Sequence, residues 1–170
     1  MKKENIKTGD ILLVASDSWI GRIIRKVTKS KWSHTGIFVW LWGELFVIEA
    51  EKNGVQLTRW DDEKYNSGKP KDKKLMYLTP IEPVNEKQMA MSMLPYVGTR
   101  NYDYASLIYQ MIYQYTGKWI GKKNRGEDKF YCSEFVAFIY HNKNKKYFNK
   151  WWEVSPGQIF VKEYFKKIIE

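Results

Sequence analysis

Apolar residues alternate or run together in short stretches over much of the first half of the chain, and recur at helical spacing in the second half. Strands are predicted at residues 11–14, 34–41, 44–50, 55–60 and 75–78. Helices are predicted over residues 17–28, with Asp17 as the cap, from Asn85 to about Leu94, from Asp103 to Gly117, and from about Cys132. Strands followed by helices in a chain of this length predict an α+β fold.

The links between the early strands are short enough for hairpins. Trp42-Gly43 joins two strong strand candidates, and Asn53-Gly54 is a typical hairpin turn. We therefore expect a mostly antiparallel sheet of about five strands. Residues 61–74 are predicted to form an exposed loop, and Ser155-Pro156-Gly157-Gln158 to form a capping box. The 170 residues contain no internal repeat, so a single domain spanning 1–170 is expected.

Composition narrows the class of partner. The net charge of +10 favours an anionic surface or substrate, and a membrane surface is one such partner. The basic segments 118–125 and 143–146 lack a recognisable nucleic-acid module, so we interpret them as solvated charge and expect no specific nucleic acid. The segment preceding Gly9 lacks an apolar stretch, and no apolar run reaches membrane-spanning length. The expectation is a soluble cytoplasmic protein.

Cys132 is the only cysteine, which excludes an internal disulfide. It falls in the first turn of a predicted helix, where the helix dipole and free backbone N–H groups stabilise a thiolate and can hold an oxyanion. Phe135, Val136 and Ile139 follow at helical spacing, so the thiol lies on the apolar face. A buried structural cysteine is the alternative interpretation.

A base and an orienting carboxylate are found on two predicted strands. If Trp42-Gly43 is a two-residue hairpin loop, facing positions sum to an odd number, so His34 and Glu49 share one face. Glu49 then lies across from Gly36 and diagonal to His34. Gly36 would clear space for a helix or a ligand. The alternative for His34 is a structural role, and the alternative for Glu49 is a carboxylate that reaches water at the end of the sheet.

The sequence gives weaker support for a metal site and for roles of the other histidine and the tryptophans. Cys132, His34 and Glu49 are ligand types for zinc, but no close Cys/His pair supports a metal site. His141 falls at the far end of the Cys132 helix and is interpreted as a surface residue or as one that interacts with the C-terminal end of the helix dipole. Four tryptophans are predicted to include members of an apolar substrate wall: Trp32, Trp40, Trp42 and Trp60.

Five short motifs occur in an order that resembles the circularly permuted NlpC-type papain-like family, and within it the YiiX/YebB group. They are Gly9-Asp10-Ile11-Leu12, Ser33-His34-Thr35-Gly36-Ile37, Val47-Ile48-Glu49-Ala50, Tyr102-Asp103 and Tyr131-Cys132-Ser133-Glu134-Phe135. The resemblance implies a papain-like core with a catalytic cysteine at a helix N-terminus. It also implies roles for Cys132 as nucleophile, His34 as general base and acid, and Glu49 as the orienting group. Tyr102 resembles a family tyrosine beside the nucleophile, and an ordinary core aromatic is the alternative.

The predicted function is therefore a thiol hydrolase that cleaves an amide bond through an acyl-enzyme, with no cofactor. Its substrate would be a small molecule, a peptide or a lipid-linked compound with an acyl bond. The layout around Cys132 is also similar to the lecithin:retinol acyltransferase-like branch, and the basic amphipathic segment 17–28 suits a membrane surface. Lipid acyl hydrolysis or transfer is thus one alternative. A binding module that kept the fold and lost turnover is the other.

Overall fold

The computed structural model describes residues 3–61, 73–98, 103–120 and 129–168. In these parts of the chain, six strands form one antiparallel sheet in the order β4-β3-β2-β1-β5-β6. The strands are β1 (Ile11–Ser16), β2 (His34–Leu41), β3 (Glu44–Glu51), β4 (Gly54–Arg59), β5 (Lys73–Pro80) and β6 (Phe165–Lys167). The predicted α+β class is confirmed. The sheet exceeds the prediction by β6, which pairs with the end of β5.

Four α-helices complete the described residues: α1 (Trp19–Val27), α2 (Glu86–Met93), α3 (Tyr104–Thr116) and α4 (Cys132–Lys143). Asn85 and Asp103 cap α2 and α3 as predicted. The predicted cap of α1 is wrong by one residue, because Ser18 accepts the Gly21 N–H while Asp17 pairs with Arg25. Residues 156–159 form a 3₁₀ turn. Most of the predicted loops 61–74 and 118–129 lies outside the described residues.

Tight hairpins set the register of the central strands. Trp42 and Gly43 form the two-residue turn between β2 and β3, both with positive φ, as a type I′ turn requires. The turn between β3 and β4 consists of Lys52 and Asn53, one residue earlier than the predicted Asn53-Gly54. Facing residues of β2 and β3 consequently sum to an odd number, as Ile37 opposite Ile48 illustrates.

The sheet separates two apolar layers. The larger layer includes Ile37, Val39, Ile48 and Ala50 and packs against α2, α4 and the segment 147–165. The smaller layer, on the alternate residues, contains Phe38, whose ring packs edge-on against Trp60 at a centroid distance of 5.1 Å. Helix α4 is enclosed, since every side chain from Cys132 to Tyr140 is buried.

Helices α1 and α3 lie side by side at the edge of this core. Ile24 of α1 and Leu107 of α3 form a small buried cluster with Tyr131, the residue before α4. The outer sides of both helices face solvent. Among the described residues, no helix combines the length and apolar character needed to cross a bilayer.

Candidate active site

Cys132 is the first residue of α4, and neighbouring side chains anchor this helix start. The Glu134 carboxylate accepts the Tyr131 N–H at 3.3 Å, and the Ser133 hydroxyl donates to the Val154 carbonyl at 2.7 Å. The Tyr131 hydroxyl donates to the Trp152 carbonyl at 2.8 Å. These bonds fix the backbone around the thiol. Cys132 itself is only 1% exposed.

His34 is the first residue of β2 and lies opposite Val14 of β1. The preceding residue holds the strand entry in place, because the Ser33 hydroxyl accepts the Ser16 N–H at 2.9 Å and donates to the Val14 carbonyl at 3.2 Å. The His34 side chain retains 19% of its exposure. The backbone of His34 is thus held by its pairing with β1 and by the hydrogen bonds of Ser33.

Glu49 lies beside His34 in the middle of the sheet and is fully buried. The His34 Nε2–H donates to Glu49 Oε2 at 2.6 Å, and the Thr58 hydroxyl donates to Glu49 Oε1 at 2.9 Å. Both carboxylate oxygens therefore have partners, which a buried carboxylate requires. The alternative that Glu49 reaches water is excluded by its burial.

Gly36 makes this arrangement sterically feasible. A Cβ at this position would lie 2.5 Å from Val47 Cγ1 and 3.1 Å from Glu49 Cβ. The space is therefore cleared for the neighbouring strand β3. The expectation that it admits a helix or a ligand is not met, because the nearest atoms all belong to β3.

The Cys132 side chain lies within hydrogen-bonding range of the His34 imidazole. Burial lowers the pKa of His34, but Cys132 and then Glu49 outweigh that effect and raise the pKa from the ordinary value of 6.5 to about 10. The charged imidazolium is thus favoured between two groups that carry negative charge when ionised. The three residues that sequence reasoning grouped are adjacent in the fold.

Glu51 is a further carboxylate that sequence reasoning missed. Its Oε1 lies 3.7 Å from His34 Nε2, and its side chain is 31% exposed. The hairpin geometry contains the signal for it: with the β2–β3 register observed, the position directly opposite His34 is residue 51. Glu49 is the diagonal neighbour and Glu51 the direct one.

His34, Glu49 and Glu51 together form the three-residue cluster of metal-ligand types in the described residues, with one donor atom of each within 4.8 Å of the others. An imidazole and two carboxylates suit zinc and similar ions. Two ligands of one zinc ion stand about 3.3 Å apart, however, whereas His34 Nε2 and Glu49 Oε2 are 2.6 Å apart. The donor types therefore suit a metal ion, but the 2.6 Å distance between His34 Nε2 and Glu49 Oε2 is that of a hydrogen bond.

The remaining predicted residues are placed elsewhere. Tyr102 lies outside the described residues. The His141 ring lies in the last turn of α4, with Nδ1 2.9 Å from the Tyr147 carbonyl oxygen. The proposed tryptophan wall is wrong, because none of the four lines the pocket beside His34. Trp60 is buried in the smaller layer, and Trp42 is 88% exposed on the β2–β3 turn.

A pocket of about 280 Å³ opens beside His34. Its apolar lining comes from Val14, Ile20, Ile24, Ala50, Tyr104 and Leu107. Its polar lining comes from Ser16, Ser18, Ser33, His34, Glu51 and Lys52. His34 lines the pocket, whereas Cys132 is not among its lining residues. The pocket runs between α1 and α3 to the histidine.

Fold and site together define an α+β protein with a YiiX-like fold. The solved structure that carries this comparison is the crystal structure of the metalloprotein yiiX from Escherichia coli O157:H7. The two structures superpose with a TM-score of 0.68 over 98% of each chain, at 20% sequence identity. A likeness at this identity shows the fold alone. No family model matches the chain, and no curated protein matches it.

Proposed function

We propose that this protein is a cysteine hydrolase of the permuted papain-like type, which cleaves an amide bond through an acyl-enzyme. Cys132 is the nucleophile, His34 the proton-transfer group, and Glu49 the orienting carboxylate. The observation that carries the proposal is that the His34 imidazole contacts both the buried Glu49 carboxylate, at 2.6 Å, and the Cys132 side chain. A nucleophile, a base and an orienter in one chain of contacts is the arrangement that cysteine hydrolases need.

The resting state would be an ion pair. With Nε2–H bound to Glu49, the other ring nitrogen, Nδ1, is the one left to take the thiol proton. The raised pKa of His34, about 10, means that this proton stays on the imidazole at neutral pH. In this proposal Cys132 reacts as the thiolate, which is the nucleophilic form of a cysteine.

Turnover follows in two halves. The thiolate sulfur bonds to the substrate carbonyl carbon, and the imidazolium returns its proton to the leaving amine as the C–N bond breaks. His34 next takes a proton from water, whose oxygen attacks the thioester carbon and releases the acid and the thiolate. Backbone N–H groups in the first turn of α4 would stabilise the oxyanion.

The pocket bears on the substrate. Its apolar walls, Val14, Ile24 and Leu107 among them, favour an apolar acyl or side-chain group next to the reacting carbonyl. This lining favours the lipid acyl alternative as a variation on the same chemistry. Activity that rises with acyl-chain length would distinguish it from peptide cleavage.

One observation favours a binding module without turnover. Cys132 is 1% exposed and is not among the residues that line the pocket, so a substrate carbonyl held in the pocket would not meet the sulfur directly. A protein that uses only the pocket would need no access to that sulfur.

Metal binding is the other candidate, favoured by the donor set of His34, Glu49 and Glu51 and by the printed description of yiiX as a metalloprotein. A bound ion at these three residues would supply Lewis-acid chemistry. It would also take the His34 nitrogen that now donates to Glu49, so the metal and the ion pair exclude one another.

The test is the alkylation rate of Cys132 by iodoacetamide from pH 4 to 10, in the wild type and in His34→Ala. Because the chain has one cysteine, every label is assignable. We expect alkylation of the wild type that persists at about pH 6 and is about 100-fold slower at that pH in His34→Ala. The urea-unfolded protein provides the rate of an accessible, unpaired thiol.

An ordinary thiol titration near pH 8.5, unchanged by His34→Ala, would reject the cysteine hydrolase and leave the binding module. Zinc added to the wild type separates the metal candidate. Stoichiometric zinc that slows alkylation, with the effect abolished by Glu51→Gln, would support a metal at the cluster. Zinc without effect would reject it.

A further inference from the structure

In the described parts of the chain, the outer sides of α1 and α3 expose large apolar side chains. Eleven large hydrophobic residues are exposed in the described parts of the chain, and six belong to these two helices. They are Trp19, Ile20 and Ile23 on α1, and Tyr104, Ile108 and Tyr115 on α3. We call these six residues the apolar face. Contiguous exposed apolar surface marks an interaction site more often than scattered residues do.

The two helices that carry the apolar face are packed together. Ile24 of α1 meets Leu107 of α3 in the buried cluster beneath it. Ile20 and Tyr104, one from each helix, both line the pocket that leads to His34. The pocket therefore borders the apolar face.

Helix α3 is unusual for a half-exposed helix, because its thirteen residues include no acidic or basic side chain. Tyr104, Ile108 and Tyr115 follow one another at intervals that place them along one stripe of the helix. Tyrosine and tryptophan are the side chains that favour a boundary between water and hydrocarbon. Trp19 is 71% exposed and Tyr115 83% exposed.

Basic residues border the apolar face on the α1 side. At helical spacing, Arg22 and Lys26 flank Trp19 and Ile23, and both basic residues are exposed. Lys29 and Lys31 follow the helix and are also exposed. The acidic residue beside the helix, Asp17, is paired with Arg25 at 2.6 Å. The border of the face is therefore positively charged.

We propose that the apolar face docks the protein on an anionic lipid bilayer, with α1 and α3 lying in the headgroup region. An apolar stripe with aromatic residues and a basic flank is the pattern of helices that lie in a membrane interface. Surface lysines and arginines add attraction to anionic lipids. The bilayer explains both halves of the pattern at once.

A second copy of the chain fits this surface less well. In a two-fold symmetric dimer the same patch meets itself, so the basic borders of two copies would be brought together and repel. An acidic protein partner would satisfy the basic border as a bilayer does, and the test below separates it. The docking would bring the pocket close to the lipid surface and does not depend on the chemistry of Cys132.

The experiment is sedimentation of the full chain with large vesicles of phosphatidylcholine containing about 30% phosphatidylglycerol, and with vesicles of phosphatidylcholine alone. We expect binding to the anionic vesicles that weakens when NaCl is raised from about 0.1 to 0.5 M. Trp19→Ser with Ile23→Ser should weaken that binding by about tenfold or more. The matched control is Trp42→Ser with Met91→Ser, which removes the same kinds of side chain elsewhere on the surface.

A second pair of variants tests the charge. Arg22→Glu with Lys26→Glu should reduce binding to anionic vesicles by about tenfold or more, since each lysine or arginine near the surface contributes separately. Lys162→Glu with Lys166→Glu makes the same change in net charge, and Lys166 lies on β6, which pairs at the end of the sheet away from α1. This control should retain most of the binding.

Three results would overturn the proposal. The first is a wild type that fails to sediment with anionic vesicles at low salt. The second is equal loss in the test and control variants, which would mean that net charge alone attracts the protein. The third is a dimer in solution that Trp19→Ser with Ile23→Ser converts to monomer, because the face would then be a protein interface. Circular dichroism of each variant excludes misfolding as the cause of a loss.

Discussion

Helix α4 and the apolar face formed by α1 and α3 are both rich in large apolar side chains, but their surroundings differ. Nine consecutive residues of α4 are buried, whereas the apolar face leaves six large side chains exposed to solvent. Helix α4 therefore contributes to the stability of the fold through its buried side chains, and it positions Cys132. The face formed by α1 and α3 is apolar beyond what the fold needs, which is why it carries the proposal of membrane docking.

The largest expected contrast is in stability. Phe135 of α4 is fully buried, with its ring 5.6 Å from that of Phe130, whereas Ile108 on α3 is half exposed. Phe135→Ala should lower the free energy of unfolding by about 3–5 kcal/mol, since it leaves a cavity in the core. Ile108→Ala should cost less than about 0.5 kcal/mol. Urea denaturation of both variants checks this, and equal losses would contradict the distinction.

A smaller effect is expected from the sheet beneath the site. Gly36→Ala brings a Cβ into contact with Val47 and Glu49, so β2 and β3 must shift apart. We expect a loss of about 1–3 kcal/mol in the free energy of unfolding, together with slower alkylation of Cys132 as Glu49 moves from His34. Gly43→Asn is the control, because its turn position has open space and tolerates asparagine. An unchanged alkylation rate in Gly36→Ala would show that Gly36 is not needed to position Glu49 and His34 for the reaction of Cys132.

The most local effect concerns the charge of His34. Proton NMR should show this imidazole titrating at about pH 10 in the wild type. Cys132→Ser should lower the pKa of His34 by about one unit or more, because Cys132 is the strongest of the groups that raise it. His141→Gln assigns the two histidine signals. A His34 signal that titrates near 6.5 in both proteins would contradict the ion pair.

The raised pKa of His34 also makes the free energy of unfolding depend on pH. The folded-state pKa of His34 lies above its ordinary value of 6.5, so the folded protein holds this proton more tightly than the unfolded chain does. Its stabilising contribution is complete below pH 6.5. It is lost as the pH rises towards about 10.

Local patterns predicted the parts of the fold that local forces decide. The alternation of β2 and β3 and their two-residue link were enough to place His34 and Glu49 on one face, because strand period and turn length together fix the register. The caps Asn85 and Asp103 were visible for the same reason. The catalytic roles of Cys132, His34, Glu49 and Tyr102 stay predictions.

Features that depend on contacts between distant parts of the chain could not be predicted from the sequence. Strand β6 has no periodic pattern of its own in three residues and forms through pairing with β5. The choice of Ser18 over Asp17 as the cap of α1 depends on the ion pair between Asp17 and Arg25. The positions of the tryptophans followed from packing, as with Trp60 against Phe38. The pocket between α1 and α3 has no signature along the chain.

The late position of α4 in the chain bears on how the protein is made. Ile37, Val39 and Ile48 form the sheet surface that α4 covers, yet Cys132, where that helix begins, follows β3 by about 80 residues. At ribosomal rates of about 5–20 residues per second, that surface waits roughly 4–16 seconds for its cover. Nascent chains of this protein should therefore be clients of cellular chaperones until α4 has left the ribosome.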